Sequence, residues 1–223
     1  MKYLLSFLIL VLGLAVRVGA QQLVFHAGGG LTSLSRGDTR SIGGFKIGVG
    51  VEWELSQTLT FEPGLLYFVK GWKDKDRMVY VYDEAGQIVL DDAGNERTGV
   101  MNVTSNANYL VLPLLLNYYI PLQLPHYIMF SAGPYVACGV GGKTKARGDT
   151  SQEGAARFYH DHNTFDQTDI HRWDAGITLG VGYEFNRMLN AGIETHLGLF
   201  NVNKNHSSRH LSFMLTLGYR IPL

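Results

Sequence analysis

The sequence carries one cysteine, Cys138, in 223 residues, which excludes an intramolecular disulfide and any cysteine-built zinc site. It carries no net charge, with 19 Lys and Arg against 19 Asp and Glu, so no basic excess advertises nucleic acid as a partner. Beyond the N-terminus it lacks the roughly 18 uninterrupted apolar residues of a membrane-spanning helix. Charged residues are sparse at 17% while aromatics reach 12%, a balance that excludes a disordered chain and requires a core or a membrane. Entry into a membrane would then need a closed barrel, the other structure that satisfies every backbone group in lipid.

Residues 1 to 20 hold Lys2, an apolar run from Tyr3 to Val16, and Val18-Gly19-Ala20 before Gln21. The run is too short to span a bilayer and reads as a secretory signal cut after Ala20, with a retained anchor as the alternative. Removing Lys2 and Arg17 leaves 17 basic against 19 acidic residues, a formal charge of −2.

The clearest stretch is Trp173 to Phe185, where Trp173, Ala175, Ile177, Leu179, Val181, Tyr183 and Phe185 alternate with Asp174, Gly176, Thr178, Gly180, Gly182 and Glu184. Period two means a β-strand, because successive side chains leave a pleat on opposite sides. Related alternation predicts strands at 23–31, 45–53, 59–70, 109–120, 127–136, 189–199 and 211–221. The expected fold is therefore all-β, an eight-stranded antiparallel up-and-down transmembrane barrel. Pro63 inside the third strand predicts a bulge. Connections alternate between short turns and long polar segments, the longest at 71–108 and 140–172, as in bacterial outer-membrane barrels. Within 71–108, Met78 to Tyr82 and Gln87 to Leu90 predict a small hairpin clear of the barrel, with an edge to which a partner strand can add. Both termini fall on the short-turn side, which in such barrels is periplasmic.

The same phase assigns the two faces. Trp53, Phe61, Tyr67, Tyr118, Trp173, Tyr183, Phe185, Phe213 and Tyr219 are expected to face lipid. Lys46, Glu52, Glu54, Glu62, Lys70, Asp174, Glu184, Glu194, His196 and Arg220 are expected in the lumen, which eight strands leave only wide enough for side chains. Burying these charges requires that they pair, so the lumen is expected to be a plug of ion pairs and polar groups. A soluble ligand-binding barrel would need an apolar interior and is excluded by this inward set.

FEPGLLYFVKGW at 61–72, YLVLPLLLNYYI at 109–120, SAGPYVACGVGGK at 131–143 and GITLGVGYEF at 176–185 together resemble the PorT-like, OmpA-type eight-stranded barrels of Gram-negative outer membranes. The resemblance covers essentially the whole chain after the signal. It implies an outer-membrane location and, for some members, a place in secretion or assembly complexes. The chain departs from that family at Val111 and Asn117, where an inward acid and a lysine are common, and at its end, Ile221-Pro222-Leu223, which lacks the usual terminal aromatic.

Candidate chemistry is thin. His160, Asp161, His162, Asp166, Asp169 and His171 gather imidazole and carboxylate in one long loop, a donor set suited to a divalent ion, although no diagnostic spacing accompanies it. Ser212, His210 and His196 fall on neighbouring strands but face inward, away from lipid substrate. The expected role is a non-enzymatic barrel, without cofactor, that docks a larger secretion, assembly or uptake complex through its loops or outer wall. Its partners are then outer-membrane lipid and other outer-membrane or periplasmic proteins. An enzyme acting on envelope lipid or protein is the alternative.

Overall fold

The computed structural model describes residues 22–223 apart from 36–37, 82, 84, 150–156, 167–168 and 205–206. The expected signal sequence at 1–20 lies outside the described residues. The strands are β1 (Gln22–Leu34), β2 (Thr39–Arg40), β3 (Ile42–Glu54), β4 (Leu59–Asp74), β5 (Arg77–Tyr80), β6 (Thr98–Pro121), β7 (His126–Asp149), β8 (Arg157–His162), β9 (Trp173–Phe185), β10 (Leu189–Gly198) and β11 (His210–Pro222). Eight of them pair antiparallel in chain order, β1 to β3, β4, β6, β7, β9, β10 and β11, and β11 returns to β1 to close the ring. Antiparallel neighbours need only hairpin connections, and closure leaves no free edge in the wall. The short strands β2, β5 and β8 add to β4, β6 and β7 beyond the ring.

Burial alternates along each wall strand. In β9, Asp174, Thr178 and Glu184 are buried, while Ile177, Leu179, Val181, Tyr183 and Phe185 are exposed. The same alternation exposes Leu112, Leu114, Leu116 and Tyr118 on β6, and Phe213, Leu215, Leu217 and Tyr219 on β11. The result is a continuous apolar band around the barrel, the kind of exposed surface that marks a membrane contact.

Two expectations about the chain path are corrected. Segments 71–108 and 140–172 are strand over about half their length: β4 continues through Asp74, and β6 and β7 are 24 residues each. At about 3.3 Å per residue such strands are roughly 80 Å long, whereas crossing a bilayer takes about 9–11 residues. Past the lipid one face of a strand need no longer be apolar, so the regular hydrophobic alternation disappears while the pairing continues.

The bulge expected at Pro63 is also absent. Trp53↔Phe61 and Gly50↔Gly64 keep one register on either side of it, and so do Pro63↔Leu114 and Leu66↔Val111. Proline lacks an N–H and here only interrupts the ladder. The bulge lies in β7 instead, where Tyr109 pairs Gly139 but Asn108 pairs Gly141, leaving Val140 extra. One extra residue reverses the facing of everything after it. Val136 is therefore exposed before the bulge, while Thr144 is buried and Lys143 exposed after it.

β5 pairs β6 from Arg77↔Met101 to Tyr80↔Thr98, so the expected isolated hairpin is joined to the barrel's own sheet. Above it the chain repeats itself: Val81–Ile88 reads VYDEAGQI and Val89–Glu96 reads VLDDAGNE. Asp83 Oδ1 accepts from the amides of Ala85 and Gln87, and Asp91 Oδ1 accepts from those of Ala93 and Asn95. Gly86 and Gly94, with φ of 77° and 80°, supply the left-handed residue of each turn. Three backbone bonds, Val81 N–H to Arg97 O, Val89 N–H to Val81 O and Arg97 N–H to Val89 O, tie the units together.

Candidate functional site

The inward side chains of the wall meet in three groups along the axis. Nearest the short turns, Arg220 on β11 is buried among three carboxylates: Nε donates to Glu52 Oε2 at 3.1 Å, Nη1 to Glu184 Oε2 at 2.5 Å, and Nη2 lies 3.8 Å from Glu62 Oε2. Tyr119 OH donates to Glu52 at 3.1 Å, and Asn117 Nδ2 donates to Glu62 at 2.8 Å. His26 Nε2 lies 2.6 Å from the other oxygen of Glu62. A guanidinium offers five donors in a fixed fork, which is why one arginine can serve several acids from different strands.

In the middle, Lys46 on β3 bonds Glu194 on β10, and His196 Nε2 reaches the same oxygen at 2.7 Å. His196 Nδ1 meets Thr178 Oγ1 at 3.0 Å, which holds the ring from its other side. Nearest the long loops, Lys70 Nζ donates to Asp174 Oδ2 at 2.8 Å and lies over the rings of Phe68, Tyr109 and Tyr135 at 5.2, 5.3 and 4.7 Å. Aromatic faces and a carboxylate together compensate an ammonium that has lost its water. Between the first and second groups a cavity of about 20 Å³ touches His26, Glu62, Asn117, Ser131 and Glu194, room for about one water.

Both mouths are covered. At the short-turn end, Asn186 and Arg187 take φ of 54° and 55°, a pair of left-handed residues suited to the twist of a two-residue hairpin. This turn lays the Arg187 guanidinium 4.1 Å from the Tyr119 ring centre and 3.4 Å from Glu54. At the other end the single-turn 3₁₀ helix Thr164–Asp166 folds inward. Phe165 meets Tyr109 edge-on at 5.5 Å, and Thr164 Oγ1 donates to Asn106 O at 2.6 Å. Ile170 and Val202 are buried beside it.

Of the expected lumen residues, Lys46, Glu52, Glu62, Lys70, Asp174, Glu184, His196 and Arg220 are buried in these groups, and Glu194 is partly so. Glu54 is corrected: it is exposed at the mouth, where β3 ends. Among the expected lipid-facing aromatics, Tyr118, Trp173, Tyr183, Phe185, Phe213 and Tyr219 are exposed on the outer wall. Trp53, Phe61 and Tyr67 are half covered on the same side, Trp53 and Phe61 by stacking on each other at 6.0 Å. His160 and His162 belong to β8 and not to a loop. Asp166 is exposed and lies 3.9 Å from Arg172, while His171 donates its amide to Val202. Among the described residues no three of His, Cys, Asp and Glu converge on a metal position.

Sequence reasoning missed His26, Tyr119, Tyr135 and Arg187 as members of the polar network, and Phe165 as the cover. His26 was legible from its inward phase in β1. Phe165 carried no signal, because nothing in its neighbourhood is periodic.

Among solved structures the chain is similar to the attachment invasion locus protein Ail of Yersinia pestis, at 11% identity over 90% of this chain and 99% of that one, with a TM-score of 0.40. It is also similar to Neisserial surface protein A, at 15% identity over 90% and 97% with a TM-score of 0.38. The outer membrane enzyme PagL matches at 13% identity over 89% and 99%, with a TM-score of 0.40. No curated protein sequence matches the chain. Residues 17–204 match the model of the outer membrane protein beta-barrel domain, and the chain belongs to that family, as a transmembrane β-barrel of the outer membrane.

Proposed function

We propose that this barrel is a non-enzymatic, PorT-like accessory subunit that docks a larger outer-membrane secretion, assembly or uptake complex through its extramembrane sheet. In this reading residues 1–20 are a secretory signal, the termini are periplasmic and the long β6–β7 ribbon stands outside the cell. One observation carries the proposal. On the β5–β6 pair, well past the apolar band, Met78 and Val100 are direct partners and are 76% and 51% exposed, with Tyr80 beside them on the same face. Apolar side chains held in water on a rigid sheet are the composition of a contact surface. The filled lumen supports a scaffold role over solute passage. The burial of His196, His210 and Ser212, with His196 bonded to Thr178 and His210 to Tyr109, supports a non-enzymatic role, since none meets lipid or solvent.

The test is affinity capture of the full chain from solubilised outer membrane, beside a Met78→Asp/Val100→Asp variant whose folding is checked by heat-modifiable gel mobility. A stoichiometric protein retained by the native chain and lost from the variant is the expected result. Absence of such a protein, or equal retention by both, would sink the proposal.

A further inference from the structure

The β7 bulge has a consequence for charge. Before Val140, even-numbered residues of β7 face lipid; after it, odd-numbered ones do, so Lys143 and Lys145 face outward while Thr144 turns in to bond Ser105 and Thr164. Without the extra residue the two lysines would point into the barrel mouth. Lys145 shares one rung with three other strands: Arg40 pairs Lys73, Lys73 pairs Thr104, and Thr104 pairs Lys145. Residues directly opposite in a sheet point the same way, so these side chains share the outer face, with Arg40 and Lys73 directly opposed and Thr104 between Lys73 and Lys145. Asp76 lies 3.9 Å from Arg40. The outward set on the wall strands β4 and β7 is nevertheless cationic.

Its height is the second observation. On β6 the continuous outward aliphatic run ends at Leu110; Asn106, the partner of Lys143, comes four residues later, and Thr104, on the rung of Lys73 and Lys145, six residues later. On a strand tilted by about 40° that is roughly 10 Å of height for Lys143 and roughly 15 Å for Lys73 and Lys145, from which long cationic side chains reach back toward the headgroup layer.

We propose that Lys73, Lys143 and Lys145 form a docking patch for the phosphate groups of anionic lipid in the leaflet that meets the long-loop rim. Facing and height call for the same occupant, a phosphorylated lipid headgroup lying against the outer wall.

The folded full chain in zwitterionic detergent is titrated with lipid A diphosphate and with its dephosphorylated form, and bound lipid is read by native mass spectrometry. Because no leaflets exist in detergent, the result does not depend on the orientation proposed above. The diphosphate is expected to bind and the dephosphorylated form not. Lys73→Gln/Lys143→Gln/Lys145→Gln should weaken binding on the order of a hundredfold, at roughly fivefold per lysine near an anionic surface, while the three Lys→Arg changes preserve it. Equal binding by the glutamine variant, or equal binding of the dephosphorylated lipid, overturns the proposal. So does displacement by inorganic pyrophosphate at the lipid's own concentration, which would mark a site for free anions.

Discussion

Phe165 and Gly139 fit as stopper and socket: a Cβ on Gly139 would lie 2.2 Å from a Phe165 ring carbon, so the ring occupies the space that any side chain there would need. Gly139 is also the last residue before the β7 bulge, so one local irregularity both reverses the facing of the strand and seats the cover of the barrel. Changing Gly139 to Ala should displace Phe165 and cost about 1–3 kcal/mol, the usual penalty of overpacking. Phe165→Ala should cost about 3–5 kcal/mol if the cavity does not collapse. Urea unfolding in lipid vesicles measures both, and a native midpoint in either variant would contradict the fit.

Arg220 is the guanidinium that Glu52, Glu62 and Glu184 share within 4 Å, while Arg187 reaches Glu184 alone, at 3.9 Å. Arg220→Met should destabilise the barrel by about 3–5 kcal/mol, because the buried acids lose their partner. Adding Glu52→Gln and Glu184→Gln should recover most of that loss. A triple variant no more stable than Arg220→Met alone would show that the charges are not coupled as the distances suggest.

The wall and its ends should differ in their tolerance of charge. Leu215, 63% exposed in the middle of β11, should lose roughly 2–4 kcal/mol on change to Arg, whereas Ile221→Arg near the interface should lose about 0–1 kcal/mol. Equal effects in lipid vesicles would argue against the band as the lipid-facing surface.

With Arg187 over one mouth and Phe165 in the other, the native barrel should carry no stepwise ionic current in a planar bilayer. Discrete conductance steps from purified protein would contradict a filled lumen.

The Asp91 carboxylate, outside the membrane, is held below its ordinary range by amide donation from Asn95, with Ala93 contributing. A depressed carboxylate stabilises its turn above the ordinary value and releases it as pH falls through the lowered one. The amide resonances of Ala93 and Asn95 should therefore titrate together, at a pH below that of a free aspartate. A titration at the ordinary aspartate value would show that the turn does not hold the charge.

Where hydrophobic periodicity existed, the sequence was sufficient. The alternation from Trp173 to Phe185 placed Asp174 and Glu184 inward and Leu179 outward, because a two-residue period leaves a side chain only two directions and lipid accepts just one of the two sets. Pro63 was misleading, because a missing N–H looks the same in sequence whether the ladder bulges or merely skips a rung.

The chain by itself thus determined the number of wall strands, the facing within the lipid and most of the buried charges, since these follow from residue-by-residue polarity. Only the tertiary structure decided which acid meets which base, that β6 and β7 continue far beyond the membrane, and that Phe165 closes one end. Those depend on register across strands distant in sequence and on a single extra residue at Val140, and neither leaves a periodic trace in the sequence.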